Sequence, residues 1–185
     1  MPRGMLFCLL MRTNLRLARR NEKGKRKGED MKKIILAVGC FCGVEAYFKQ
    51  QPFISDSTVG YVNSRVEEPD YKLVCTGTTG AAEAVELHYS DGLDEVLKTL
   101  FHIIDPTLMN RQGNDYGSQY RTGVYYESNE DREAIERFID SIRANYDRPI
   151  VTEVLPLDNF WPAEEYHQDY LDKNPGGYCH IDLNA

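Results

Sequence analysis

Residues 33–45 read KIILAVGCFCGVE: an apolar run, a glycine, and a cysteine opening a stretch of helical character. Residues 34–38 carry no polar interruption, which marks a strand buried on both faces near the centre of a sheet. Over residues 43–50, Val44, Tyr47 and Phe48 fall on one side at helical spacing, and Pro52 closes the segment. A strand passing through one glycine into a helix puts Cys40 at or near a helix N-terminus. A thiolate there faces backbone N–H groups and the positive end of the helix dipole, which lowers its pKa and raises its reactive fraction. Three readings of Cys40 stand at this point: a buried small hydrophobe, half of a redox or metal pair with Cys42, or a nucleophile.

Beyond this stretch, short apolar runs alternate with helical ones, without repeats or long linkers. Strands are predicted at 53–61, 83–89, 122–126 and 150–155, and helices at 93–104 and 130–146. Residues 63–81 read as loop and 110–121 as a polar, glycine-containing connection. The order strand, helix, strand, strand, helix, strand suggests an α/β (α+β) fold, a ferredoxin-like two-layer sandwich with extra helices and an irregular C-terminal segment.

The chain has 185 residues, 42% apolar and 11% aromatic, enough for one sizeable core over residues 31–185. The net charge of −7 divides unevenly: residues 1–30 carry +6 and the remainder −13. A body that acidic repels phosphate backbones, so nucleic-acid binding is not expected. No apolar run approaches the length of a membrane span, and a cytoplasmic monomer is expected. The basic segment 1–30 has seven apolar residues, 5–11, and no small-residue cleavage site, so it makes a poor signal peptide. It reads as a disordered extension, with Met31 of MKKIILAVG a convincing natural start and Cys8 without a role.

Five cysteines, at 8, 40, 42, 75 and 179, are too few and too irregular for a secreted disulfide framework. A metal site at Cys40 and Cys42 needs two further ligands, yet the four histidines show no paired spacing. No metal is therefore expected. Cys75, in LVCTG, reads as a packed thiol. Cys179, in a glycine-rich stretch, is either a mobile thiol or a cysteine on a short final strand.

Taken together, GCFCGVE, YKLVCTGTTGAAEAV, RQGNDYGSQYRTGVYY, AEEYHQDYL and KNPGGYCHIDL resemble, in order and spacing, the A-type peptide methionine sulfoxide reductases, over about residues 33–183. The resemblance implies thiol-dependent reduction of the S epimer of methionine sulfoxide, free or in proteins, with no cofactor beyond an external thiol reductant, thioredoxin. It makes Cys40 the nucleophile and Glu83 the acid. A carboxyl in an apolar pocket stays protonated near neutrality and can donate to the sulfoxide oxygen while sulfur attacks. By the same resemblance Tyr71 and Tyr120 donate to that oxygen, Asp115 supports the pocket, and Cys179 is the preferred thiol to discharge the sulfenic acid on Cys40.

The sequence departs from that family's pattern in several places. Cys42 stands where a tryptophan is usual. That tryptophan and Phe41 form the wall receiving the substrate methyl group, so a large surface is missing. Trp161, the sole tryptophan, is a candidate replacement, and Cys42 is a candidate local resolver. Ala81 stands where histidine is usual, and Val62-Asn63 where a glycine pair is usual. Two rival readings follow: a domain binding methionine peptides without reducing them, and a thiol oxidoreductase centred on Cys40 and Cys42.

Overall fold

A computed structural model describes residues 31–90, 92–177, 179 and 181–183. The expectations for residues 1–30 lie outside these. Lys32–Ala185 forms one compact unit.

Strand β1 (Lys32–Val38) is central, flanked by β3 (Ala82–Tyr89) and β6 (Thr122–Tyr126), both antiparallel to it. β2 (Ile54–Val62) pairs with the other edge of β3, giving the central order β6-β1-β3-β2. β7 (Glu153–Pro156) joins β6 in parallel, and β8 (Phe160–Pro162) joins β2, completing six strands. Continuous apolar strands are usual where helices cover both faces. Here one face of β1, through Ile34, Leu36 and Val38, meets the helices, whereas Ile35 and Ala37 lie under Leu157 and Phe160 of the C-terminal segment.

Helix α1 (Phe41–Lys49) begins two residues earlier than its periodicity suggests. Gly39 has φ +85°, a turn that a side chain strains, and with Cys40 it swings the chain from β1 into the helix within two residues. Inside the expected loop 63–81 lies a short helix, α2 (Tyr71–Cys75), whose N-cap Asp70 accepts the Leu73 N–H at 2.7 Å. Its five residues are too few to show a helical period, but an aspartate before them is the cap signal. Helix α3 (Leu93–Ile103) stops before Pro106 as predicted, and α4 (Asn129–Ile142) ends in a 3-10 turn over Arg143–Asn145. Residues 110–121 hold the two-residue strands β4 (Arg111–Gln112) and β5 (Asp115–Tyr116), then a 3-10 turn at Ser118–Tyr120. After β8 the segment is irregular except for α5 (Tyr170–Lys173). No helix among the described residues is long and apolar enough to cross a membrane.

Candidate active site

Cys40 is the N-cap residue of α1, in extended backbone and without a side-chain capping bond. The next residue, Phe41, donates its N–H to Glu83 Oε2 at 3.3 Å. Glu83 comes from β3 and is only 1% exposed; its Oε1 has no hydrogen-bond partner among the described residues. Burial, reinforced by the Cys40 charge, holds this carboxyl well above the usual range, and the Phe41 N–H only partly opposes them. The shift favours the protonated carboxyl, and of its two oxygens one is committed to the backbone and the other is available.

Tyr71 opens α2, and its hydroxyl lies within electrostatic reach of Cys75 and Tyr120. Both phenols are pushed up, Tyr120 to about 12, first by burial and then by the Glu83 charge. Both consequently remain donors at neutral pH. Asp115, on β5, lies within electrostatic reach of Glu83 and Tyr120. Arg121 holds this side of the pocket together: its guanidinium donates to the carbonyls of Gly80, Ala81 and Ser118 and to Glu153 Oε2.

The opposite wall comes from the C-terminal segment. The His167 ring lies 5.1 Å from that of Phe41 and 4.6 Å from that of Tyr71, with Tyr166 at 4.3 Å behind it. Burial lowers the His167 pKa, so the ring is a neutral aromatic wall. Glu164 accepts the Tyr71 N–H at 2.9 Å and the Tyr61 hydroxyl at 2.8 Å. These bonds press the segment onto α2 and β2.

Cys40, Phe41, Cys42, Tyr71, Glu83, Asp115 and Tyr120 thus converge on one region, from five separate stretches of chain. Cys179 packs against the same helix: a Cβ added at Gly43 would meet its Sγ at 2.7 Å. The Cys179 thiol donates to the Ile181 carbonyl at 3.2 Å, and burial raises its pKa.

The model of the family described as peptide methionine sulfoxide reductase matches residues 32–185, over four-fifths of the chain. The chain belongs to that family. A peptide methionine sulfoxide reductase of Clostridium acetobutylicum is 53% identical over 154 residues, covering 82% of this chain and 95% of that protein. Among solved structures, Saccharomyces cerevisiae Mxr1 in reduced form is 38% identical, with a TM-score of 0.77 over 80% of this chain and 88% of that one. Mxr1 in complex with Trx2 is 27% identical, with a TM-score of 0.55 over 79% of this chain and 91% of that one.

Cys42, the departure in this reductase's first motif, is 6% exposed, and its thiol is hydrogen-bonded to Cys40. That bond and burial together push its pKa up, so Cys42 stays a thiol. Trp161 lies on β8, two strands away from the Glu83 strand. It stands in one cross-strand row with Tyr61 and Glu83, and Tyr61, whose ring centroid lies 6.0 Å from that of Phe41, comes between. Glu164 and His167 lie in the AEEYHQDYL stretch, whose pattern assigns them no role. Five consecutive polar side chains in AEEYHQ, close to the sole tryptophan, are the available signal. Arg121 gave no comparable signal.

Proposed function

We propose that Cys40 is the nucleophile and Glu83 the acid in reduction of the S epimer of methionine sulfoxide, free or within proteins. The chain is a peptide methionine sulfoxide reductase, an oxidoreductase using thiols. One observation carries the assignment of roles: Glu83 Oε2 is tied to the peptide next to Cys40, while the buried Oε1 has no protein partner among the described residues.

A sulfoxide sulfur is a poor electrophile until charge is drawn from its oxygen. Glu83 supplies the proton, while Tyr71 and Tyr120 hold the oxygen as charge develops. Asp115 supports this group without transferring the proton. The Cys40 thiolate with the sulfoxide and one proton yields methionine and a Cys40 sulfenic acid, two electrons passing from the cysteine sulfur to the substrate. The Cys179 thiol then attacks the sulfenic sulfur, forming a disulfide and releasing water. Thioredoxin, through its dithiol, reduces that disulfide; the yeast relative bound to Trx2 supports such a partner. Phe41 and the His167 ring line the apolar side that receives the methyl group, with Cys42 as a smaller wall and Trp161 one residue behind. No cofactor enters this scheme.

Cys40→Ser should abolish S-sulfoxide reduction. Cys179→Ala should release one methionine per enzyme and then stall with thioredoxin. Continued turnover in Cys179→Ala moves the resolving role to Cys42, which already shares a hydrogen bond with Cys40. A Cys40→Ser enzyme that still reduced the S epimer would defeat the proposal.

A further inference from the structure

Glu45 takes no part in the chemistry above, yet it is 2% exposed, one turn along α1 from Phe41. Its Oε2 accepts the Asp169 N–H at 2.9 Å, and its Oε1 accepts the Ser57 hydroxyl at 3.4 Å. Asp169 belongs to the strap, residues 164–173, whose other ties are already functional. Glu164 holds Tyr61 and Tyr71, and His167 walls the pocket. Gln168 donates to the Val59 carbonyl and accepts the Val59 N–H, at 2.9 and 3.0 Å. At Asp169 the backbone adopts φ +54°, a conformation costly for a side-chain-bearing residue, so something must hold it. Two groups from α1 do so: Glu45 takes its N–H and Lys49 pairs with its carboxylate and that of Asp172. Immediately beyond, a cavity of about 780 Å³ lies between α1 and residues 171–183, with Cys179 in its wall. Asp169 and Asp172 are therefore the points at which α1 ties this chain segment ahead of Cys179.

We propose that Glu45 is a positioning residue: by accepting the Asp169 N–H it fastens the strap over the pocket, and ionising it loosens the strap. The inference rests on the function proposed above only for its effect on substrate binding. Opening the strap would bring the Glu45 carboxyl into water. Burial raises its pKa to about 7 in the closed form against the ordinary 4.5, outweighing the Asp169 N–H and the Lys49 charge, which favour ionisation. The closed strap thus binds a proton more tightly than the open one, and closure is favoured at low pH and lost as pH rises through about 7. The charged and titratable groups around Glu45 are Lys49 and Cys42 of its own helix and Asp169 of the strap, with Asp172 reaching it through Lys49; β2 contributes the Ser57 hydroxyl.

The test is amide hydrogen exchange of residues 164–173 in the full chain between pH 6 and 8, corrected for the intrinsic exchange rate, alongside the KM for methionine S-sulfoxide. Wild-type protection should fall across this range. Glu45→Gln, a neutral side chain that keeps an acceptor oxygen, should hold the pH 6 level throughout. Loss of the buried Asp169 hydrogen bond in Glu45→Ala should cost about tenfold in protection against wild type at pH 6, with no further fall toward pH 8, and raise the pH 6 KM by about tenfold, leaving single-turnover kcat within about twofold. Flat wild-type protection, a fall that persists in Glu45→Gln, wild-type protection in a folded Glu45→Ala, or lost protection with unchanged KM would each overturn the proposal. Should Glu45→Ala not fold, the contrast between wild type and Glu45→Gln decides alone. The exchange readout stands even if Cys40→Ser disproves the assigned chemistry.

Discussion

As the proposed acid, Glu83 faces two opposed requirements in one side chain, since such a group must be buried enough to keep its proton and placed so that it can give the proton away. Burial at 1% exposure meets the first, and the Phe41 N–H meets the second by fixing one oxygen. Glu83→Gln keeps shape and hydrogen bonding but has no proton to transfer. Single-turnover reduction should slow by about 10²–10³, the range for removing a general acid or a preorganised donor. The pH profile adds a sign: an acid works only while protonated, so the wild-type rate should fall as pH rises through the Glu83 pKa. That limb should vanish in Glu83→Gln. A wild-type rate in this variant would remove Glu83 from the mechanism. That Cys40 and Glu83 belong to one site was legible in the sequence through the family resemblance of their two motifs, and the structure ties the Phe41 N–H beside Cys40 to Glu83. The role of Glu45 was not legible, although it lies in the same quoted stretch. Its work depends on Asp169, 124 residues away, and no local pattern reports that contact.

At the scale of elements, α1 does more than carry Cys40, the proposed nucleophile, at its N-cap. Its third residue, Gly43, is where Cys179 comes closest, and Ile181 lies 3.6 Å from the same Cβ position. Alanine there suits a helix better than glycine by about 1 kcal/mol, so helix propensity alone favours Gly43→Ala. Sulfur at 2.7 Å from the new methyl group opposes it and must move. Gly43→Ala should therefore keep the first turnover near the wild-type rate while slowing thioredoxin-driven recycling, read as the ratio of burst to steady-state methionine release. An unchanged ratio would show that Cys179 reaches Cys40 from elsewhere. Helix α2 offers a second test. Asp70→Ala removes the cap that starts the helix at Tyr71, a loss of about 1 kcal/mol that should appear as a raised KM, with kcat falling less. The long elements were readable because burial imposes a period on them. α2, β8 and the β4–β5 pair were not, being five, three and two residues long, too short for a period to show; β8 is moreover held by β2, about a hundred residues earlier.

For the whole molecule, the site leaves a signature in the dependence of stability on pH. Glu83 and Glu45 both have native pKa values above the ordinary 4.5, so between those values the native state binds more protons than the unfolded chain. Stability must fall as pH rises through that window, which for Glu45 closes near 7. His167 acts from the other side. Its native pKa lies below 6.5, so the unfolded chain takes up the proton first and stability falls as pH drops below that value. Glu164 and Asp105 reinforce the acid limb, each with a native pKa below its ordinary value, Glu164 through the Tyr71 N–H among others and Asp105 through Thr107, both working against burial. Together these groups set an optimum on the acid side of neutrality, and the alkaline limb belongs to the two glutamates. Thermal unfolding should therefore give a higher Tm near pH 6 than at pH 8. Glu83→Gln combined with Glu45→Gln should recover about 1–3 kcal/mol at pH 8, roughly 3–10 °C in a chain of this size, with much less gain at pH 5. Equal gains at both pH values would mean that the two carboxyls are ionised throughout, leaving Glu83 with no proton to deliver.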